Sequence, residues 1–251
     1  MKQQEPQTDF GFEQIPKSDK VARVKKVFNS VAPRYDLMND LMSLGLHRIW
    51  KRLTVALIDL PEQGRVLDLA GGTADLTALI AKKMAKKTGE IILSDINAEM
   101  LALGRNKLID QGLWHQVKIV QADAENLPFF DNEFDAVTIA FGLRNVTDKD
   151  KALQEIYRTL KPGGEVFILE FSELKTEFLK PFYDAYSFKI LPKLGEWIAG
   201  DAASYQYLAE SIRRHPNQGA LLAMLEKTGF AQCRVNNFLG GVVALHRGFK
   251  L

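Results

Sequence analysis

The sequence predicts an α/β fold, a doubly wound and mostly parallel sheet of seven strands with helices on both faces. Three observations predict it. Five short apolar runs rich in β-branched residues lie within residues 65–171 and alternate with stretches of helical periodicity. Residues 173–216 break that alternation with a helical, aromatic texture. One helix and two more strands then close the chain. Hydrophobic residues at 46% and charged residues at 25% of 251 positions suit a globular chain. A net charge of +2 is too small to argue for nucleic acid. Cys233 is the single cysteine, so an intramolecular disulfide and a cysteine-based metal cluster are both excluded. The longest apolar stretch, 136–143, falls far short of the roughly 20 residues that span a bilayer. The first residues are polar, with Glu5, Asp9 and Glu13, which argues against a secretory signal.

Taken in order, residues 1–17 read as a polar, weakly ordered arm. An amphipathic helix starts at Ser18, with Val21, Val24, Val27 and Phe28 on one face and Lys20, Arg23, Lys25 and Lys26 on the rest. Such a helix packs on a core or lies on a membrane surface. The strands are 65–70, 90–95, 117–122, 134–140 and 165–171, and the helices between them 76–86, 98–111 and 149–160. Lys161-Pro162-Gly163-Gly164 reads as a helix stop followed by a turn. Residues 173–216 read as a helical insertion over the sheet, carrying Phe178, Phe182, Tyr183, Tyr186, Phe188, Trp197, Tyr205 and Tyr207, interrupted by Pro181 and Pro192. A helix at 218–227, capped by Gly229, precedes strands 231–238 and 242–249, with Gly240-Gly241 turning between them. Residues 1–60 thus form an arm and helices packed on the ligand side, and 61–251 the sheet with its insertion, within one domain.

The first strand runs into Asp68-Leu69-Ala70-Gly71-Gly72-Thr73-Ala74-Asp75. Glycines at the carboxyl end of a first strand let a ligand approach the backbone. The third glycine of a dinucleotide loop is missing, and Asp68 and Asp75 bracket the turn, where carboxylates would repel a pyrophosphate. No Gly-Lys-Ser/Thr follows, so a P-loop is excluded. The second strand ends in Asp95-Ile96, where an acid holds a ribose diol, and the third in Asp123-Ala124, where an acid meets an adenine amino group. A glycine turn with acids at successive strand ends suits S-adenosylmethionine, an adenosine joined to a sulfonium amino acid without phosphates.

At these residues the chain resembles a class I S-adenosylmethionine-dependent methyltransferase. The likeness is closer than that. Residues 35–50, Tyr35-Asp36-Leu37-Met38-Asn39 through Ser43 to His47 and Trp50, are similar to the N-terminal motif of the ubiquinone/menaquinone biosynthesis C-methyltransferase (UbiE) family. Arg158-Thr159-Leu160-Lys161-Pro162-Gly163-Gly164 with Glu170-Phe171-Ser172, the segment Phe141-Gly142-Leu143-Arg144-Asn145-Val146, and 241–248 also resemble that family. The resemblance runs from about Phe10 to the C-terminus. Two positions depart from it: the family usually has glycine where Ala74 stands, and a hydroxyl residue is common at Ala140.

The resemblance implies methyl transfer to a ring carbon of a polyprenyl quinol: a 2-methoxy-6-polyprenyl-1,4-benzoquinol, a demethylmenaquinol, or both. Gly71, Gly72, Thr73, Asp68, Asp95, Ile96, Asp123, Ala124, Ala140 and Tyr35 would hold the cofactor, with Tyr35 and Met38 closing over it. A quinol hydroxyl has a pKa near that of tyrosine, about 10, so the ring carbon becomes nucleophilic when that proton leaves. Arg144 would stabilise the phenolate, since guanidinium is no base, and Asn145 would orient a water. His246 has the intrinsic pKa of a proton acceptor, with Asp184 and Tyr186 as alternatives. His47, His115 and His215 lack metal-ligand spacing, and no metal is expected. A bilayer-resident substrate implies peripheral contact at the inner face of the membrane from the cytoplasm, through the basic N-terminal helix and the insertion. The family resemblance also implies a homodimer, with quinone-synthesis enzymes as partners. A methyltransferase for another small-molecule acceptor is the alternative. Nucleic acid is not an expected partner: residues 141–145 lack an Asn-Pro-Pro-Tyr-like segment and no aromatic-studded basic stripe is evident.

Overall fold

The computed structural model describes residues 5–175, 181, 185–190, 193, 196–197 and 201–251. Strands β3 (Arg65–Leu69), β4 (Glu90–Asp95), β5 (Val117–Gln121), β6 (Phe134–Ala140) and β7 (Leu160–Phe171) pair in parallel. With β8 (Ala231–Phe238) and β9 (Val243–Phe249) they build one sheet in the order β5-β4-β3-β6-β7-β9-β8. Only β9 runs against the rest: it is antiparallel to β7 on one side and to β8 on the other, so β8 shares the direction of the parallel strands. Chain order reverses direction across the sheet between β3 and β6. Ligands of open α/β sheets bind at the carboxyl ends of the strands beside such a switch point.

Helices α1 (Lys17–Val31), α2 (Tyr35–Ser43), α3 (His47–Leu57), α4 (Asp75–Lys83) and α5 (Ala98–Asp110) precede β5, and α6 (Lys149–Thr159) precedes β7. Helices α7 (Ala202–Arg214) and α8 (Gln218–Thr228) lead into β8. The central strands β3, β4 and β6 are buried at most positions because both faces are covered, whereas the edge strand β8 alternates with exposed polar residues. One core joins Val24, Met38, Trp50, Leu76, Ile80, Leu108, Phe167 and Tyr205, and the other joins Leu153, Ile156, Leu221 and Leu225 to Val137 and Ile168. The N-terminal helices share the first core with β3 to β9, so no boundary in packing falls near residue 60.

Two expectations are corrected. The N-terminal arm is a hairpin, with β1 (Gln7–Phe10) antiparallel to β2 (Glu13–Pro16) around Gly11 at φ +59°. It is held because Ile15 is buried and Phe10 stacks on Tyr207 with ring centroids 4.3 Å apart. The Lys161-Pro162-Gly163-Gly164 turn is the lead-in to β7 itself, where the register with β6 shifts between Phe134 and Ala136 and Gly163 takes φ +81°. Within 173–216 the described residues include a π-helical turn, Tyr186–Ile190, and α7. The expectations placed on Phe178, Phe182, Tyr183, Asp184 and Pro192 lie outside the described residues. Among those residues, no helix is long and apolar enough to cross a membrane.

Candidate active site

The glycine turn is shaped by contacts on its underside. The Gly71 N–H donates to the Ser94 carbonyl at 3.0 Å, and a Cβ on Gly71 would stand 2.5 Å from Leu93 Cδ1 and 2.9 Å from Asp68 Oδ2. The Gly72 N–H donates to Asp95 Oδ2 at 3.0 Å, and the Asn97 N–H to Oδ1 at 2.8 Å. Both oxygens of Asp95 are therefore braced by main chain while the side chain still faces a cavity. Burial pushes the Asp95 carboxyl up to about 6, against those hydrogen bonds. Ala74 stands at φ +65°, a conformation that glycine adopts without a Cβ penalty. That is a physical reason for glycine at this position in the family that the sequence resembles.

A cavity of about 90 Å³ opens at the carboxyl ends of β3, β4 and β6. Gly72, Asp95, Ile96, Asn97, Met100, Asp123 and Ala124 form its floor and far wall. Val21, Val24, Lys25 and Phe28 of α1 close it from above. The apolar face of the N-terminal helix is thus spent on the cavity and is not offered to solvent. Lys20, expected on the polar face, is buried and donates to the Val146 carbonyl at 3.3 Å; burial, then Lys149, pushes its ammonium down to about 8. A smaller adjoining space of about 20 Å³ is lined by Asp68, Gly71, Thr73 and Ala140, and shares Tyr35, Ala70 and Phe141 with the first. Every residue expected to hold a cofactor therefore lines one space or the other. A ligand with a diol at Asp95, an amino-bearing ring at Asp123 and an extension past Gly71 fits these walls.

The two acids bracketing the turn are both engaged within the protein. Asp68 is fully buried and accepts from Thr77 Oγ1 at 2.5 Å and Thr138 Oγ1 at 2.7 Å, and burial raises its pKa. Asp75 is ion-paired with Lys51 at 2.9 Å and Lys107 at 2.6 Å; burial works to raise its carboxyl, but the two lysines outweigh it and hold it low. Lys107 also reaches Asp36 at 2.8 Å, so this cluster fastens α2 and α3 to the start of α4 and to α5. An acid at the start of α4, already neutralised, leaves that helix end unsuited to a phosphate.

Arg144 and Asn145 follow β6 in a short 3-10 turn, Leu143–Asn145. Asn145 lines the cavity and accepts from the Tyr207 hydroxyl at 3.1 Å. Arg144 is buried just behind the wall, between two residues that line it, Gly142 and Asn145. It is no surface ion pair. Its Nη1 donates to Glu170 Oε1 at 2.9 Å and to the Phe141 carbonyl, while the Arg144 N–H donates to Glu170 Oε2 at 3.2 Å. Its Nε is buried with no hydrogen-bond partner. Tyr35 is pushed up to about 12 by burial, against the nearby Arg144 charge; Tyr207 is likewise raised by burial, with Arg144 opposing. Glu170 and Tyr207 were not singled out as site residues. Glu170 stands in the sequence only within Glu170-Phe171-Ser172, a stretch that resembles the family without a role of its own, and Tyr207 as one aromatic among many.

His246 is placed elsewhere. It is buried in β9 opposite Ile168 and Val235, outside the lining of both spaces. Its Nε2 lies 3.0 Å from the Gln218 carbonyl, and since a carbonyl only accepts, that nitrogen carries the proton. Burial lowers its pKa. These facts describe a neutral core histidine between β9 and α8, and the role of proton acceptor is withdrawn from it.

Comparisons with known proteins agree with this geometry. Residues 16–250 match the model of the ubiE/COQ5 methyltransferase family. The chain is 56% identical over 243 residues to a ubiquinone/menaquinone biosynthesis C-methyltransferase UbiE of Methylococcus capsulatus, covering 97% of this chain and 98% of that one. It is 53% identical over 250 residues to the protein of the same name from Legionella pneumophila, covering 100% of both. Among solved structures, a SAM-dependent methyltransferase of Thermotoga maritima superposes with a TM-score of 0.62 at 19% identity, over 90% of this chain and 99% of that one. A phosphoethanolamine N-methyltransferase of Haemonchus contortus, solved with S-adenosyl-L-methionine, superposes with a TM-score of 0.54 at 22% identity, over 75% of this chain and 38% of that one. These two show the fold.

Proposed function

The chain belongs to the ubiE/COQ5 methyltransferase family, and on that premise we propose how its residues serve the reaction. It is an S-adenosyl-L-methionine-dependent C-methyltransferase of ubiquinone/menaquinone biosynthesis. The acceptor we propose is a ring carbon of a polyprenyl quinol, either 2-methoxy-6-polyprenyl-1,4-benzoquinol or a demethylmenaquinol. The observation that carries the assignment of roles is the buried Arg144 guanidinium just behind the cavity wall, beside Asn145, which lines it.

Bound S-adenosylmethionine supplies an activated methyl group, so the chain has to make the ring carbon nucleophilic. Asp95 would hold the ribose diol and Asp123 the adenine edge, and Gly71 and Gly72 would allow the close approach that both need. The acceptor carbon gains a methyl and releases its hydrogen as a proton, and a phenolate must be sustained meanwhile. The Arg144 guanidinium, buried just behind the cavity wall, stabilises the phenolate through its positive charge in a water-poor site. Glu170 fixes the guanidinium in that position. With the Tyr207 hydroxyl donating to Asn145 Oδ1, the amide hydrogens of Asn145 are left to orient a water that carries the proton out. Tyr35, kept neutral by burial, packs at the junction of the two spaces.

A polyprenyl acceptor resides in the bilayer, so we infer work at the inner face of the membrane. The apolar face of α1, first expected to touch lipid, lines the cavity, and the contact falls to another surface. The test of the acceptor uses methyl-labelled S-adenosylmethionine with a short-chain methoxy-prenyl-benzoquinol, a short-chain demethylmenaquinol and a tail-less hydroquinone. Label on the ring carbon of one or both prenyl quinols is expected. Label on oxygen, or on the tail-less acceptor alone, overturns the reading.

A further inference from the structure

Large apolar side chains are exposed in one stretch of the molecule out of proportion to its length. Leu37 is 41% exposed, Leu44 74%, Ile49 50%, Leu53 45% and Leu57 42%, all on α2, α3 and the turn between them. The inward side of α3 is complete without them, through His47, Trp50, Lys51, Thr54 and Val55. Outward, its exposed residues recur every fourth position as Arg48-Ile49, Arg52-Leu53 and Ala56-Leu57, which places an apolar stripe beside a basic one. Residues 41–58 contain no aspartate or glutamate. Helix α4 packs against α3, and Lys82, Lys83 and Lys86 at its end are exposed. Of these, Lys83 is turned back onto the Val55 and Ala56 carbonyls at 2.9 and 3.1 Å. The acids bordering this surface are Asp40, paired with Arg48 at 2.7 Å, Asp59 past the end of α3, and Asp36 and Asp75 beside Arg48, Arg52 and Lys82, where Lys107 pairs with both and Lys51 with Asp75.

We propose that the outward face of α2 and α3 docks the protein onto an anionic bilayer. Leu44, Ile49, Leu53 and Leu57 enter the acyl boundary, and Arg48, Arg52 and Lys82 meet the headgroups. Apolar anchors flanked by arginine and lysine, with no acid within residues 41–58 and the bordering acids already paired with lysine or arginine save Asp59, complement a negative interface. A second copy of the chain fits worse. A two-fold contact lays the same patch against itself, which would bring the Arg48, Arg52 and Lys82 charges of both copies into one interface. The face also leads to the site, because α2 begins at Tyr35 in the cavity wall and the Tyr186 hydroxyl donates to the Leu41 carbonyl. For its purpose this inference rests on the prenylated acceptor proposed above, but its test uses no acceptor, so the two fail separately.

The test is sedimentation of the full chain with vesicles of phosphatidylcholine alone or with one-third phosphatidylglycerol. Wild type is expected to sediment with the anionic vesicles, less so at high salt. Ile49→Ser/Leu53→Ser/Leu57→Ser should lose at least about tenfold in binding, as lost apolar burial requires. Its affinity for S-adenosylmethionine should be unchanged, which shows that it folds. Arg52→Glu/Lys82→Glu should lose the preference for anionic lipid, and Lys26→Glu on α1 should bind as wild type does. The proposal is overturned if wild type does not sediment, if the triple variant sediments equally, or if Lys26→Glu alone abolishes binding. It is also overturned if, without lipid, ultracentrifugation shows a wild-type dimer that the triple variant breaks.

Discussion

At the scale of single residues, the site is governed by charges that burial makes costly and neighbours make useful. Asp95 is the clearest case. Its carboxyl titrates near pH 6 because burial outweighs the Gly72 and Asn97 hydrogen bonds. A raised carboxyl pKa stabilises the fold while protonated, and that contribution is lost as pH rises through about 6. Ligand binding runs the other way, since the ionised form is the stronger acceptor for a ribose diol. Calorimetry should show S-adenosylmethionine affinity falling as pH is lowered through about 6, and Asp95→Asn should be weaker throughout with that dependence gone. Glu170 is the second case. Glu170→Ala strands the Arg144 charge in the interior and should cost about 3–5 kcal/mol in chemical denaturation. Asp95 and Asp123 were legible because strand periodicity places them at strand ends, where the fold puts ligands. Glu170 was not, because its value depends on β6 and β7 lying side by side, which no local pattern announces.

At the scale of elements, supports of the site come from parts that the sequence makes look peripheral. The β1–β2 hairpin seats Phe10 on Tyr207, whose hydroxyl holds Asn145. Its four-residue strands are too short and polar to stand out from an arm. Helix α5 supports the glycine turn through Gly104, where a Cβ would lie 2.7 Å from the Gly72 carbonyl and 3.2 Å from Ala74 Cβ. Alanine favours a helix interior over glycine by about 1 kcal/mol, so Gly104→Ala sets local propensity against the turn. It should fold and yet bind S-adenosylmethionine at least about tenfold more weakly, measured by calorimetry, because the obstructing atom is main chain. The boundaries of β4, β6 and β8 were readable from apolar runs, and α5 and α8 ended within a residue of expectation. The lead-in to β7 was not, since Pro162 and Gly163 signal a stop although the strand continues beyond them.

At the scale of the whole molecule, the sheet fixes where chemistry can occur and the N-terminal helices close the space above it. The alternation of strand and helix made the doubly wound, seven-stranded sheet legible, while the order of its strands is seen only in the structure. The use of α1 as a roof was not, because an amphipathic helix does not say which apolar surface it meets. The central claim is that the Arg144–Glu170 pair serves methyl transfer to a quinol carbon and not cofactor binding. The most direct measurement compares wild type with Arg144→Gln in a Glu170→Gln background, which leaves no buried charge unpaired. Turnover of labelled methyl onto the ring carbon is read beside S-adenosylmethionine affinity. The expected result is a kcat lower by about 10²–10³, as for loss of one group that stabilises the developing charge, with cofactor affinity within about twofold. Ring methylation at the wild-type rate, or loss of cofactor affinity in proportion to the loss of rate, would contradict the claim.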